Sequence, residues 1–300
     1  MASAPAHRPL FAIALRLSAA VLLGIMVTLV KLAGEAGASL PEILFWRQVV
    51  AIPCLLGWMI LARRTQLLRT RRLWVHCRRA MLGLSSMSLL FGATALLPLA
   101  ELTTLTFAGP LFAVVLSAVI LREQVGPWRW GAVALGMVGV VVVAQPGGSA
   151  LPAMGVAMGA AAAMLNGLIT VQVRDLGRTE HPLTTVLLFS LFSMAVLVPL
   201  MAVYGQQHPP AVLAMLFGAG LFGFLGQIGL TAALRFGSVA TVTVMDYTGL
   251  VWTALAGWLV WDHLPPLTTW LGAPLIVAAG LVVLWRVHSL MVEIAREIAA

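Results

Sequence analysis

The second half of the chain repeats the first. Residues 91–143 align with the segment that begins at residue 230 once two extra residues are allowed in a turn of the second copy. Within this alignment Leu121-Arg122-Glu123 falls on Val260-Trp261-Asp262, Gly131 on Gly272 and Gly139 on Gly280. The segments before it also pair, Lys31 with Arg174 and, after a two-residue deletion, Pro41 with Pro182. A duplicated apolar chain is typical of secondary transporters, in which two repeats packed about an axis leave a central site that opens alternately to each side.

The composition indicates a protein solvated by lipid. Hydrophobic residues make up 61% of the chain and charged residues 9%, whereas soluble domains have about 45–50% and about 25%. Apolar runs such as residues 136–144 do not alternate as the strands of a membrane barrel do. The first apolar stretch is too long for a cleavable signal, and the two cysteines, Cys54 and Cys77, are too few for a disulfide framework. We therefore predict an all-α integral membrane protein.

Ten apolar stretches of roughly twenty residues are each long enough to cross about 30 Å of hydrocarbon. They define predicted helices 1 to 10: 10–32, 42–62, 80–98, 101–121, 128–145, 152–173, 183–203, 211–234, 239–261 and 267–286. Five helices per repeat is an odd number, so the two repeats must be inverted relative to each other. The predicted units are a first repeat over residues 1–146 and a second over residues 147–300.

Basic residues predict the orientation, because they concentrate in cytoplasmic loops. With the N-terminus in the cytoplasm, sixteen of the eighteen basic residues lie at inside ends or loops: Arg8, Arg16, Arg63, Arg64, Arg69, Arg71, Arg72, Arg78, Arg79, Arg122, Arg129, Arg174, Arg178, Arg235, Arg286 and Arg296. Lys31 lies at an outside end and Arg47 within helix 2. We expect a multi-pass protein of the cell inner membrane with both termini cytoplasmic. The net charge of +8 is then explained by arginines beside anionic lipid headgroups, so no nucleic-acid partner is predicted.

Motifs in both halves resemble those of the ten-helix, EamA-like branch of the drug/metabolite transporter superfamily. They are Thr106-Phe107-Ala108-Gly109-Pro110-Leu111-Phe112, Glu123 with the Gly-rich run 131–143, Tyr247-Thr248-Gly249-Leu250-Val251-Trp252, and Phe45-Trp46-Arg47. The chain departs from the family pattern at Arg122, at Asp262 in place of Glu, and at Gly249 in place of Pro. The resemblance implies a carrier of small organic solutes, with a cavity lined by helices 1, 3, 4, 6, 8 and 9. It also implies transport driven by proton exchange or by the gradient of the solute itself.

Ionisable residues inside the hydrocarbon are the first candidates for the solute site, because each costs about 2.5–3.5 kcal/mol at a helix centre. Asp246 lies within helix 9 in a polar patch with Tyr247 and Thr243, and a desolvated carboxylate there would suit proton coupling or a cationic solute group. The structural alternative is that Asp246 pairs with Arg235 or accepts hydrogen bonds. Arg47 either contacts the solute or extends to the membrane interface.

Neutral and aromatic residues extend the candidate set. Asn166 and Thr170 share a face of helix 6, Gln227 lies on helix 8, and Phe107 is one of the aromatic residues that could wall a pocket. The alternative for the polar residues is hydrogen bonding between helices. Glu101 at the start of helix 4, and the matched loop residues Glu123 and Asp262, are assigned gate or structural roles.

Other functions fit the sequence less well. An intramembrane lipid-modifying enzyme needs converging catalytic groups, but all six histidines fall at helix ends or loops and no nucleophile–base pair is evident. Polar residues are too sparse for a channel, and no nucleotide-binding loop is present for a pump. We predict a metabolite permease or exporter, for amino acids or related amphipathic solutes. An importer of a nucleoside-like or vitamin-like solute is the alternative. We predict no metal and no cofactor, with protons and a homodimer through helix 5 or 10 left open.

Overall fold

The computed structural model describes residues 9–64, 70–120, 126–145, 151–176, 179–236 and 245–299, and all regular structure within them is helical. These residues form eleven α-helices, which are in order: α1 (Pro9–Glu35), α2 (Leu40–Leu61), α3 (Leu73–Thr94), α4 (Leu99–Thr106), α5 (Gly109–Ile120), α6 (Pro127–Ala144), α7 (Ala153–Leu176), α8 (Pro182–Tyr204), α9 (Pro210–Phe236), α10 (Gly249–Trp261) and α11 (Leu267–Ala299). A 3₁₀ segment, Met245–Thr248, leads into α10.

Many of these helices are suited to a lipid bilayer. Six stretches among the described residues are long and apolar enough to cross a membrane: Leu10–Glu35, Leu40–Leu61, Leu99–Leu116, Ala153–Thr170, Leu183–Tyr204 and Pro210–Leu230. Two shorter apolar helices are Trp130–Ala144 and Leu267–Val282. The architecture is that of an all-helical, multi-pass membrane protein.

Predicted helix 4 is not continuous. α4 ends at Thr106 and α5 begins at Gly109, with a tight hydrogen bond from Ala108 N to Leu105 O between them. Pro110 explains the interruption, because it has no N–H to donate to the carbonyl of Thr106 and disfavours helical geometry in the residue before it. The same proline is tolerated in the first turn of the helix that follows.

Predicted helix 9 is irregular at the matching position. Its first part, residues 239–244, lies outside the described residues, and its next four residues form the 3₁₀ segment before α10 begins. In the alignment of residue 91 with residue 230, Phe107 corresponds to Asp246. The two halves therefore carry irregular backbone at equivalent places.

The helix contacts repeat when the halves are exchanged. In chain order α1 corresponds to α7, α2 to α8, α3 to α9 and α6 to α11. The most extensive contacts among the described helices are α1 with α9, α6 with α11, α3 with α7 and α2 with α8. When each helix is replaced by its counterpart in the other half, the α1–α9 contact becomes the α3–α7 contact. The α6–α11 and α2–α8 contacts are unchanged by the same exchange. The two halves are thus related by an approximate two-fold axis, and each is packed mainly against the other.

Glycines allow these helices to approach closely. A Cβ added at Gly220 of α9 would lie 2.7 Å from the carbonyl oxygen of Trp46, and one at Gly226 would lie 2.8 Å from Leu23. Between α6 and α11, a Cβ at Gly139 would lie 2.8 Å from the carbonyl oxygen of Gly272. These glycines of predicted helices 5 and 10, where a homodimer contact was left open, are engaged within the chain.

Candidate functional site

A cavity lies between α2, α3, α8 and α9, and we call it the central cavity. Eleven residues line it: Arg47, Gln48, Ala51, Arg79, Met87, Val186, Phe189, Ser190, Gly223, Phe224 and Gln227. Since α2 corresponds to α8 and α3 to α9, exchange of the halves maps this set of four helices onto itself. The central cavity therefore lies on the axis that relates the two halves.

Two arginines face the central cavity from different helices. The Cζ atom of Arg47 on α2 lies 5.7 Å from the centroid of the Phe91 ring, and the Cζ atom of Arg79 on α3 lies 4.6 Å from the centroid of the Phe189 ring. Among the described residues, no carboxylate forms a hydrogen bond or ion pair with either guanidinium. No Asp or Glu is among the lining residues described for the cavity. The walls are therefore positively charged.

Hydrogen-bond donors in the cavity are left without partners. Gln48 is 2% exposed and its Nε2 makes no hydrogen bond, and neither do the buried Nε and Nη1 atoms of Arg79. Gly83 leaves the space that Arg79 occupies, because a Cβ there would lie 2.7 Å from both Nη1 of Arg79 and the ring of Phe189. A buried polar group without a partner costs free energy, and these three unpartnered donors belong to one cavity.

Asp246 forms a bidentate salt bridge with Arg16 of α1. The Nε and Nη2 atoms of Arg16 each donate to one carboxylate oxygen at 2.5 Å, and Nη1 donates to the carbonyl oxygen of Leu230 at 3.0 Å. The partner is therefore Arg16 rather than the Arg235 considered from sequence, whose side chain lies outside those described. The bridge ties α1 and α9 to the 3₁₀ segment, and Asp246 does not line the central cavity.

The two irregular segments meet through their aromatic residues. The rings of Phe107 and Tyr247 pack edge to face with centroids 5.1 Å apart. The hydroxyl of Tyr247 lies against Gly280 of α11, where an added Cβ would collide with it. Thr243, assigned to the same polar patch from sequence, lies outside the described residues.

A polar cluster joins the C-terminal end of α1 to the ends of α4 and α10; we call its members, Lys31, Glu35, Glu101, Trp261 and His263, the Glu101 cluster. Trp261 donates to both carboxylate oxygens of Glu35 at 2.9 and 3.0 Å, and Lys31 lies 5.1 Å from the Trp261 ring. His263 Nε2 is 3.4 Å from Glu101 Oε1, and Glu101 is fully buried with its other oxygen unpartnered. The cluster therefore ties α1 to α4 and α10 at this end of the bundle.

The other predicted site residues are dispersed. Asn166 and Thr170 are both exposed on α7, where the Thr170 hydroxyl donates to the Asn166 carbonyl at 2.8 Å. Asp262 ends α10 in a left-handed conformation with φ of 51°, and Glu123 lies outside the described residues. Of the predicted binding residues, the structure places Arg47 and Gln227 on the central cavity and joins Phe107 to Tyr247 beside Asp246.

Sequence reasoning missed Arg79, Gln48 and Arg16. Arg79 was assigned to a loop because helix 3 was predicted to begin at residue 80, whereas α3 begins at Leu73. The cavity also differs from the one that the resemblance implies. That cavity would be lined by predicted helices 1, 3, 4, 6, 8 and 9, and of these only predicted helices 3 and 8 line the central cavity. A signal was present, since arginine and glutamine adjoin within the apolar segment of helix 2.

Comparison with known proteins finds one transporter family and several relatives that are named as transporters, exporters or solute carriers. The model of the EamA-like transporter family matches the chain twice, over residues 10–145 and 153–285. The pseudopaline exporter of Pseudomonas aeruginosa is 29% identical over 260 residues, covering 85% of this chain and 89% of that protein. The riboflavin transporter of Vibrio cholerae is 28% identical over 281 residues, covering 90% and 92%. The human solute carrier family 35 member G1 is 24% identical over 253 residues, covering 78% and 67%.

A solved crystal structure supports the fold alone. It superposes with a TM-score of 0.57 at 22% identity and covers 88% of this chain and 96% of that one.

Proposed function

Because the chain belongs to the EamA-like transporter family, we propose that it carries small organic metabolites across the cell inner membrane by alternating access, with the solute held in the central cavity. Membership of this family of drug/metabolite transporters makes the protein a transporter rather than an enzyme. The proposal adds the kind of solute, the place where it binds and the way in which access alternates.

The observation that carries the proposal is the position of the central cavity on the axis between the halves. α2 and α3 come from the first family match, and α8 and α9 come from the second. A rocking motion about this axis would expose the same lining residues to either side in turn. Inversion of the halves follows if α4 with α5, and the 3₁₀ segment with α10, each form one crossing, which gives ten crossings in all. An even number of crossings leaves both termini on the same side of the membrane, and the orientation predicted from the arginines makes that side the cytoplasm.

The solutes we favour are amino acids and related amphipathic metabolites. The cavity combines arginine and glutamine side chains with Met87, Phe189 and Phe224, and such a wall suits a molecule with a polar head and an apolar body. A vitamin-like solute is the second candidate, because relatives from Vibrio cholerae and two other bacteria are named riboflavin transporters.

We further propose that the Asp246–Arg16 bridge couples transport to protons, because it lies at an irregular segment where a change of charge would free one half from the other.

The test fills the cavity and compares metabolite pools. Cells expressing wild type, Ala51→Phe or Cys54→Phe at matched membrane levels are compared for intracellular and extracellular metabolites. Ala51 lines the cavity, whereas Cys54 is exposed on the outer face of the same helix. We expect wild type and Cys54→Phe to shift one class of solute and Ala51→Phe to shift none. Size-exclusion chromatography in detergent shows whether each variant is folded.

The outcomes separate the parts of the proposal. A solute class shifted equally by folded Ala51→Phe would retain the transporter and reject the central cavity as its site. The absence of any shift with wild type across metabolite-rich conditions would argue against metabolites as the cargo. The sign of the shift gives the direction of transport.

A further inference from the structure

The positive charges of the central cavity have no negative counterpart in the described protein. A charged side chain at the centre of a transmembrane helix costs about 2.5–3.5 kcal/mol on insertion scales, and such groups are normally paired. Arg16 is paired with Asp246, but among the described residues Arg47 and Arg79 lie over aromatic rings with no carboxylate partner, and their charges repel each other. Stacking on a ring offsets about 0.5–2 kcal/mol of such a cost, so the enclosed charge remains largely uncompensated.

The polar groups around the two guanidiniums complete a site for acceptor atoms. The unpartnered Nε2 of Gln48 and the unpartnered Nε and Nη1 of Arg79 are all donors. A guanidinium presents a planar set of N–H groups that matches the two oxygens of a carboxylate or a phosphate, whereas a cation would leave these donors unsatisfied and a neutral acceptor would leave the two positive charges uncompensated. The chemistry of the unpartnered groups therefore selects an anion.

The orientation of Arg79 is fixed by its surroundings. Its guanidinium fits between Phe189 and the bare backbone of Gly83, where a Cβ would displace it. Met87, Val186 and Phe224 supply an apolar wall to the same cavity. The site thus offers charge to one part of a ligand and apolar contact to another.

We propose that the solute is an amphipathic organic anion, and that Arg47 and Arg79 together bind its carboxylate or phosphate group while the aromatic wall holds its apolar body. This inference rests on the proposed transport function and narrows its substrate class. The charged half of the site comes from α2 and α3 and the aromatic half mainly from α8 and α9. Closure of the two halves on each other therefore brings both parts of the ligand into contact.

Binding is tested with aromatic probes that carry a carboxylate, a neutral amide or a phosphate head group. N-acetylphenylalanine, its neutral amide and phenyl phosphate are titrated against the purified full-length protein, with thermal stability and tryptophan fluorescence as readouts. We expect the carboxylate or the phosphate to bind at least tenfold more tightly than the amide, and the stronger of the two identifies the head group. Arg47→Gln and Arg79→Gln should each remove most of this preference, and Arg79→Lys should restore part of it. Arg78→Gln, which changes the exposed neighbouring arginine, should retain it.

Affinity for the amide equal to that for both anions, or an anion preference that survives both folded Arg→Gln variants, would overturn the inference. Flux of the same probes in proteoliposomes separates it from the proposed function. Transport of the amide without transport of either anion would reject the anion and keep the transporter. Anion binding that depends on Arg47 and Arg79 supports the inference even where that probe is not moved.

Discussion

At the scale of single residues, the carboxylate of Asp246 finds its partner 230 positions earlier, at Arg16. The sequence identifies Asp246, because a carboxylate in an apolar segment stands out against its neighbours. It does not identify Arg16, because an arginine near the start of a membrane helix cannot be distinguished in the sequence from one that only sets the topology. The pairing depends on α1 lying against the 3₁₀ segment, and that contact is a property of the packed bundle.

Removal of the carboxylate should separate the structural role of this bridge from coupling. Asp246→Asn leaves Arg16 without its partner, and we expect a loss of about 1–3 kcal/mol in the free energy of unfolding. That is less than the roughly 3–5 kcal/mol of a fully buried pair, because the Asp246 side chain is 32% exposed. The double variant Arg16→Gln/Asp246→Asn should regain most of this loss, because no unpaired charge remains. Both variants should lack proton-driven flux, measured in proteoliposomes with the solute that the pool comparison identifies.

The stability of the single and double variants is followed by thermal unfolding in detergent. Wild-type proton-driven flux in the double variant would show that the bridge only holds α1 in place. A double variant no more stable than Asp246→Asn would mean that the cost arises elsewhere than at Arg16.

At the scale of elements, the sequence predicted where the helices lie but not where they are broken. Most predicted boundaries fall within a few residues of the observed ones, because apolar length determines a membrane helix. The break before Pro110 could have been anticipated from the proline, yet prolines such as Pro53 and Pro199 sit inside continuous helices here. The local residue alone does not distinguish the two cases. At the position that matches Pro110, α10 begins with Gly249 instead of a proline, so the sequence could indicate the 3₁₀ segment before it only through the repeat.

Packing at this second break gives a prediction at the same scale. A Cβ at Gly280 would collide with the Tyr247 hydroxyl, so Gly280→Ala should displace Tyr247 from its contact with Phe107. We expect flux to fall about tenfold or more, and Gly280→Ala/Tyr247→Phe to recover part of it, because the double variant lacks the clashing oxygen. Gly131→Ala is the matched control, since nothing lies within 4 Å of its added Cβ. Equal flux in Gly280→Ala and Gly131→Ala would show that the position of Tyr247 does not matter for transport.

At the scale of the whole molecule, the duplication was the most informative part of the sequence. It predicted two similar halves, and the exchange of the α1–α9 contact with the α3–α7 contact is what such halves produce when packed together. It could not predict the charge asymmetry of the central cavity. Arg47 and Arg79 both belong to the first half, and the function of a site on the axis depends on where the two halves differ.

The ends of the bundle carry the last prediction, which concerns alternating access and orientation together. The Glu101 cluster joins α1 to α10 through Glu35 and Trp261, and under the proposed orientation it faces outward. Cross-linking these two positions should hold the outer end closed and stop flux. A Glu35→Cys/Trp261→Cys variant, with Cys54 and Cys77 replaced by alanine, is treated in intact cells with a short, membrane-impermeant thiol cross-linker. Linkage should occur from outside and abolish transport, whereas each single-cysteine variant should retain its own rate.

Cross-linking with undiminished flux would contradict opening at this end. Failure of the impermeant reagent, together with linkage by a permeant one of the same length, would reverse the proposed orientation, because a cluster facing the cytoplasm is reached only by a reagent that crosses the membrane.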